Sequence, residues 1–507
     1  MSFRPLATYE KKLLSQSLDN QTNGTIVSAK YSIAAGEDLS DDATLLTNGE
    51  PGAMMNIIIR ALEKLVYEHP ELYTTINDQL EFEPVQEIRA SEIISAITFD
   101  SIKDEFVNCH LGAPPYLLRH IFNRNKFQPG SGKPLWELYV VDESLVIFHG
   151  SDMLFDIYAA SNFHKLFFQA LNYVPKTGES VEIIFKRDQI FQHSAVAFPN
   201  SIYDNPLNYF PAKTLDLVHL QTQSFFKSVF NKTIKKSFNY LTFNSEPMNG
   251  FKNKYGDFLD ASSPLCGTTV FGNISTDRFD YLNSIAQHEN VCTKSLICGL
   301  AMLALKPIIK DFTSSITFSI TVNLRSHISD SSEFGLCHKN IRVECPLSMI
   351  DDNVYKNLNI YNGYDSSSIK VHADDPSFED KAIEYQFKQI SDLVSSTMKQ
   401  RMRSWRRCGF NDDDIKRMKF AQEEKLTTTK VIQINDVSEF SLDSNNGTNG
   451  VSVRELSLTH SLSSSEFMSM SFSQCKETGT NICIHYPDSY NMENFVERFQ
   501  QFIEDEC

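Results

Sequence analysis

An α/β fold built in layers is what this sequence predicts. Helix-type and strand-type hydrophobic periods follow one another in the order helix, strand, turn, strand, loop, helix over the first 171 residues, the succession of an α/β or α+β layered domain. At 507 residues the chain exceeds what one hydrophobic core serves, so two to four domains are expected. Its content is 41% hydrophobic and 22% charged, with 20 glycines and 18 prolines, which describes a folded chain rather than a disordered or fibrous one.

Residues 51–69, PGAMMNIIIRALEKLVYEH, set Ile58, Ala61, Leu62, Leu65 and Val66 at helical spacing, with Pro51 near the start and Pro70 just past the end. This predicts an amphipathic helix. Residues 135–149, LWELYVVDESLVIFH, hold two apolar runs around the polar break Asp142-Glu143-Ser144 and predict a β-hairpin. A helix returns over 158–171, where Phe163, Phe167 and Phe168 share one face and are expected in the core. Between about 175 and 265 the periodicity weakens, and this stretch is the candidate crossover.

A second organised region opens with a short strand at FGNIS and two helices, the second expected to be capped by Thr293. SITFSITVNLRS alternates as a strand does. Residues 361–378 read as a loop before a long polar helix over 379–405, and the Ser/Asn/Gly-rich stretch 441–450 reads as a turn between two late strands. NICIHYP then leads into a last amphipathic helix, MENFVERFQQFIEDE.

The formal charge of -17 arises from 64 acidic against 47 basic residues and argues against nucleic acid or an anionic surface as a partner. Ten cysteines are scattered with no CxxC pair, so reduced thiols and no metal site are expected. The N-terminus lacks the apolar core of a secretory signal, and nowhere do eighteen apolar residues run together. A cytoplasmic location is expected, with peripheral attachment to a membrane or lipid droplet left open.

The most informative stretch is FHGSDMLFDIYAASNFHKLFFQAL, residues 148–171. It resembles the active-site segment of the HxxxD acyltransferase superfamily, which includes fungal alcohol acetyltransferases, related N-acetyltransferases, plant BAHD acyltransferases and condensation domains. Phe155-Asp156 and the helix after them match in place and spacing. RALEKLVYEHPELYTTI looks like the first helix of that superfamily and KPLWELYVV like the strand before the active-site hairpin. ENVCTKSLICGLAMLAL looks like the helix entering the second lobe, ITVNLRS like the strand carrying an Arg, and VSEF at 437–440 like a late family strand.

The resemblance implies a two-lobed chloramphenicol-acetyltransferase-like fold, with mixed sheets covered by helices and a channel between the lobes. It divides the chain into an N-terminal lobe at 1–230, a crossover at 231–260 and a C-terminal lobe at 261–507. It also implies a monomer, acetyl-CoA as co-substrate with no permanently bound cofactor, and an alcohol or lipid-like amine as acceptor.

The sequence departs from the family at the catalytic position. Four residues before Asp156, where the family has its His, stands Asp152, preceded by Ser151. The family's His takes a proton from the acceptor as that group attacks the thioester, a task suited to imidazole with its ordinary pKa of about 6.5. A carboxylate would need burial or like charge to approach that value. Asp152 is therefore the candidate base of an altered site, or the mark of a non-catalytic homologue that binds CoA, a lipid or a protein. A rival register uses His149, with Met153 four residues later; it loses the Phe-Asp step, though His149 could act from the adjacent turn, and its bland alternative is a strand-end histidine bonded to backbone. In the family Asp156 shapes the loop by pairing with an Arg, here Arg325. The basic run 399–407, KQRMRSWRR, reads as a solvated helix face rather than a CoA-phosphate patch, and His338 and His485 read as isolated histidines.

Overall fold

Two large β-sheets, of five and six strands, dominate the described residues of the computed structural model, each with helices packed on an apolar face, and a three-stranded and a two-stranded sheet accompany them. The structure describes residues 3–19, 22–33, 53–98, 113–124, 127–175, 181–192, 198–202, 267–306, 315–328, 332–350, 378–408, 431–438, 450–462, 466–475, 478–487 and 493–505. The expected crossover at 231–260, all but the last residue of the loop expected at 361–378 and most of the turn at 441–450 lie outside them.

In chain order the main elements of the first half are α1 (Thr8–Leu18), β1 (Thr25–Ile33), α2 (Ala53–Glu68), β2 (Ile94–Ile97), α3 (Pro115–Arg124), β3 (Trp136–Val141), β4 (Leu145–Gly150) and α4 (Ile157–Tyr173). The second half holds β5 (Gly267–Ile274), α5 (Thr276–His288), α6 (Thr293–Leu305), β6 (Ser315–Asn323), β7 (His338–Pro346), α7 (Phe378–Cys408), β8 (Val431–Asp436), β9 (Val451–His460), β10 (Glu466–Cys475), β11 (Gly479–Pro487) and α8 (Glu493–Asp505).

The β3–β4 hairpin closes as its residues demand. Asp142 and Glu143 take left-handed φ values of 46° and 54°, and the Ser144 N–H donates to the Val141 carbonyl at 3.1 Å. Two central residues at positive φ match the right-handed twist of the flanking strands. Past β4 the chain tightens through residues 151–155, where the Leu154 and Phe155 N–H groups both return to the Ser151 carbonyl. It then enters α4, whose N-cap Asp156 accepts from the Ala159 N–H at 2.7 Å. Phe163 and Phe167 are fully buried, and Phe163 stacks on Phe148 of β4 with ring centroids 4.2 Å apart, so strand, loop and helix pack as a unit.

The first sheet has the order β9-β1-β4-β3-β2, with β2–β3 parallel and the other pairs antiparallel. Its edge strand β9 comes from the C-terminal half, so this sheet draws on both ends of the chain. The second sheet has the order β5-β11-β10-β8-β6-β7, with parallel pairs at β6–β8 and β8–β10. Alternation along its strands separates two faces. Phe318, Ile320, Ile434, Met470, Phe472 and Ile484 join α6 and α8 in the apolar core, while Ser319, Thr321, Gln433, Asn435, Ser471 and His485 are buried on polar positions between them. The sheets meet at β9, whose Leu456 carbonyl accepts from Ser473 of β10 and Asn481 of β11, each at 2.8 Å.

Two local expectations change. Thr293 is the first residue inside α6 and donates to Asn283 at 2.7 Å, while Cys292 occupies the cap position. VSEF does not form a strand over its described part: β8 ends at Asp436, whose carboxylate accepts from both the N–H and the hydroxyl of Ser438 and turns the chain aside. No described helix is long and apolar enough to cross a membrane.

Candidate functional site

Three strand ends bring the site together. Thr25, the first residue of β1, lies opposite Gly150 of β4 on one side and His460 of β9 on the other. Gly150 leads into the motif loop, so Asp152 comes to rest over the same end of the sheet. Its carboxylate accepts from the Gly24 N–H at 3.2 Å and from the Thr25 hydroxyl at 3.3 Å. His460 Nδ1 lies 2.9 Å from Thr25 Oγ1 and 3.9 Å from Asp152 Oδ1. Asp152 and His460 keep 11% and 19% of their side-chain surface exposed, within reach of a ligand, while Met153, Leu154 and Phe155 are buried and anchor the loop. Gly24 permits this approach: it has φ +87°, and a Cβ there would stand 2.4 Å from the Gly150 carbonyl oxygen.

Asp156 faces the other way. It is buried, and Arg325 grips it with two contacts, Nη1 to Oδ2 at 3.1 Å and Nη2 to Oδ1 at 3.0 Å. The Cys337 N–H donates at 2.8 Å, and His338 Nδ1 lies at 3.4 Å, within ion-pair reach. Burial alone would raise the Asp156 carboxyl; the Arg325 guanidinium, with His338 beside it, outweighs burial and holds it well below the usual carboxylate range. Arg325 also donates to the Ser332 and Gly335 carbonyls, so the pair ties the N-cap of α4 to the segment before β7. A carboxylate with every side occupied by donors shapes the loop; it has no lone pair to offer a substrate.

His149 is fully buried near the end of β4. Its Nε2 lies 2.7 Å from the Asn23 carbonyl, and its Nδ1 lies 2.9 Å from Glu137 Oε1, which also accepts from the Tyr139 hydroxyl at 2.8 Å. Both ring nitrogens thus serve the packing of β3, β4 and the strand entry at Asn23. His338 belongs to the Asp156 cluster. His485 is buried, with Nδ1 3.0 Å from Thr269 Oγ1, and burial, with His460 nearby, pushes it down to about 3. From the basic run, Lys399 donates to the Asn290 carbonyl and Trp405 lies under the Lys339 ammonium at 4.9 Å, both on α7.

Sequence reasoning missed His460. It ends a strand with ordinary alternation, VSVRELSLTH, and 435 residues separate it from Thr25, so no local pattern connects the two.

No protein-family model matches the chain. Among solved structures it is similar to the TRI3 trichothecene 15-O-acetyltransferase of Fusarium sporotrichioides, with a TM-score of 0.61 and 13% identity over 99% of this chain and 94% of that one. It is also similar to the first condensation domain of the CDA synthetase, with a TM-score of 0.53 and 10% identity over 99% and 95% of the two chains. The condensation domain of the Monacolin K polyketide synthase MokA gives 0.52 and 8% over 100% and 98%. Identities this low show the fold, the two-lobed architecture of acyltransferases and condensation domains. PSTB2-interacting protein 1 of Saccharomyces cerevisiae is 44% identical over 99% of this chain and the whole of that protein. The chain therefore belongs to the family of the yeast PSTB2-interacting protein 1, on the acyltransferase and condensation-domain fold.

Proposed function

We propose that the chain is a CoA-dependent acyltransferase of the fungal alcohol acetyltransferase and N-acetyltransferase type, moving an acetyl group from acetyl-CoA to an alcohol or a lipid-like amine. The observation that carries this reading is the motif loop. Asp156 is bound to Arg325, and four residues earlier a partly exposed polar side chain, Asp152, stands among Thr25, Gly24 and His460 rather than being replaced by an apolar plug. A site abandoned by chemistry has no need for an accessible cluster of acid, hydroxyl and imidazole where a loop of this fold would present its base.

A second reading has its own support. The yeast relative is named for interaction with PSTB2, and position 152 lacks the imidazole of the motif. On that reading the chain is a non-catalytic homologue that holds a protein partner. One experiment separates the two. Acetyl-CoA is titrated into the purified full chain by calorimetry, and release of the CoA thiol is then followed with a panel of alcohols and sphingoid amines. Donor binding with acceptor-dependent thiol release is the outcome expected for the transferase. Absence of both, together with retention of the chain by purified PSTB2, would establish the binding role instead.

A further inference from the structure

We propose that His460 is the general base of this site and that Asp152 is its positioning residue, so that the motif's imidazole is supplied from β9 rather than from the loop. The inference rests on the transferase reading and assigns its roles.

Hydrogen-bond valence supports it. An ionised carboxylate can only accept, so the Thr25 hydroxyl that lies 3.3 Å from Asp152 Oδ1 donates to it. Having spent its proton there, Thr25 Oγ1 is left as an acceptor for His460 Nδ1 at 2.9 Å. The chain His460 Nδ1–H, Thr25 O–H, Asp152 carboxylate fixes the tautomer in which Nε2 carries the free lone pair. Among the described residues Nε2 makes no hydrogen bond, and the side chain retains 19% of its surface. Asp152 is already engaged as an acceptor, one oxygen holding the Thr25 hydroxyl that orients His460 and the other the Gly24 N–H.

The roles then balance. The acceptor's O–H or N–H proton passes to His460 Nε2 as its oxygen or nitrogen bonds to the thioester carbonyl carbon. The C–S bond breaks, and the imidazolium returns the proton to the departing CoA thiolate. Asp152, 3.9 Å from the ring, stabilises the imidazolium between those events. Of the titratable groups near His460, Asp152 lies 3.9 Å away on the loop after β4, and His485 of β11 is held neutral down to about 3 by burial and so adds no charge.

The test uses the full-length protein, acetyl-CoA and an acceptor that releases CoA thiol with the wild type. His460→Gln should lower kcat by about 10²-fold or more, the range of a lost general base, with the calorimetric Kd for acetyl-CoA unchanged. Asp152→Asn should lower kcat less than His460→Gln does, with KM for acetyl-CoA unchanged, and Asp152→Glu, which keeps a carboxylate to accept from Thr25, should recover part of that loss. A side chain that only held the fold would lower the melting temperature in step with kcat and show no such rescue. Thermal melts of the three variants guard against misfolding. Turnover that survives His460→Gln would overturn the assignment and leave the transferase reading intact with another base. A wild type inert toward every donor and acceptor would overturn both.

Discussion

At the scale of single residues, two aspartates four positions apart have been given opposite environments by the same loop. Asp156 is enclosed with Arg325, whose side chain is 10% exposed, and removing one partner leaves a charge with nothing to answer it. Asp156→Ala should cost about 3–5 kcal/mol in urea unfolding, and Arg325→Ala should add far less to it than its own loss alone. Additive losses would show that the pair is not a coupled unit. Because the folded Asp156 carboxyl lies below its unfolded value of about 4, its contribution is complete above that pH and is lost as pH falls further toward the folded value. Asp152, by contrast, depends on the backbone at Gly24, where φ is +87° and a Cβ would meet the Gly150 carbonyl. Gly24→Ala should therefore destabilise the chain by about 1–3 kcal/mol and reduce any acyl transfer along with it, which parallel unfolding and thiol-release measurements would check.

At the scale of elements, what could be read from the sequence is what neighbouring residues decide among themselves. The break at Asp142–Ser144 specified the hairpin because its central residues tolerate the left-handed turn, and Phe163, Phe167 and Phe168 specified the buried face of α4 because helical spacing puts them together. The Asp156–Arg325 contact was readable only through a resemblance that named the partner. Strand β9 was legible as a strand, but not as an edge of the first sheet, because its partner β1 lies at the opposite end of the chain and pairing of that range leaves no periodic trace. His460 went unnoticed for the same reason: one of 13 histidines, it acquires neighbours only when β9 crosses over. The last helix shows the local rule at work. Phe495 and Phe499 of α8 are fully buried, with Phe499 6.1 Å from Phe472 of β10, so this helix covers the second sheet rather than a lipid surface. Phe499→Ala should cost about 3–5 kcal/mol, measured by urea unfolding of the full chain.

At the scale of the whole molecule, buried neutral histidines make the fold sensitive to mild acid. His164 lies on α4 with Nε2 2.8 Å from the Val27 carbonyl and Nδ1 2.8 Å from the Tyr31 hydroxyl, and burial pushes it down to about 4. His485 is pushed down to about 3 for the same reason. In the unfolded chain both recover an ordinary value of about 6.5, so between that value and the folded ones the unfolded state binds more protons. Their contribution is whole above about pH 6.5 and declines as pH falls, by about 2 kcal/mol for each at pH 5. A second effect runs against this. The net charge of -17 shrinks as pH approaches the sequence pI of about 5.3, which relieves self-repulsion. Exposed charges spread over a large surface are screened by salt, whereas the two imidazoles are enclosed, so the histidines should prevail at ordinary ionic strength. The melting temperature is expected to fall between pH 7 and pH 5, and to fall less steeply in His164→Gln, whose side-chain amide can still donate to Val27 but has no proton to gain. His164 joins α4, which carries Asp156 at its start, to β1, which begins at Thr25. Loss of any acyl transfer should therefore track the melting curve in wild type as the solution is acidified, and a melting temperature independent of pH, or equally steep in the variant, would remove His164 from this role.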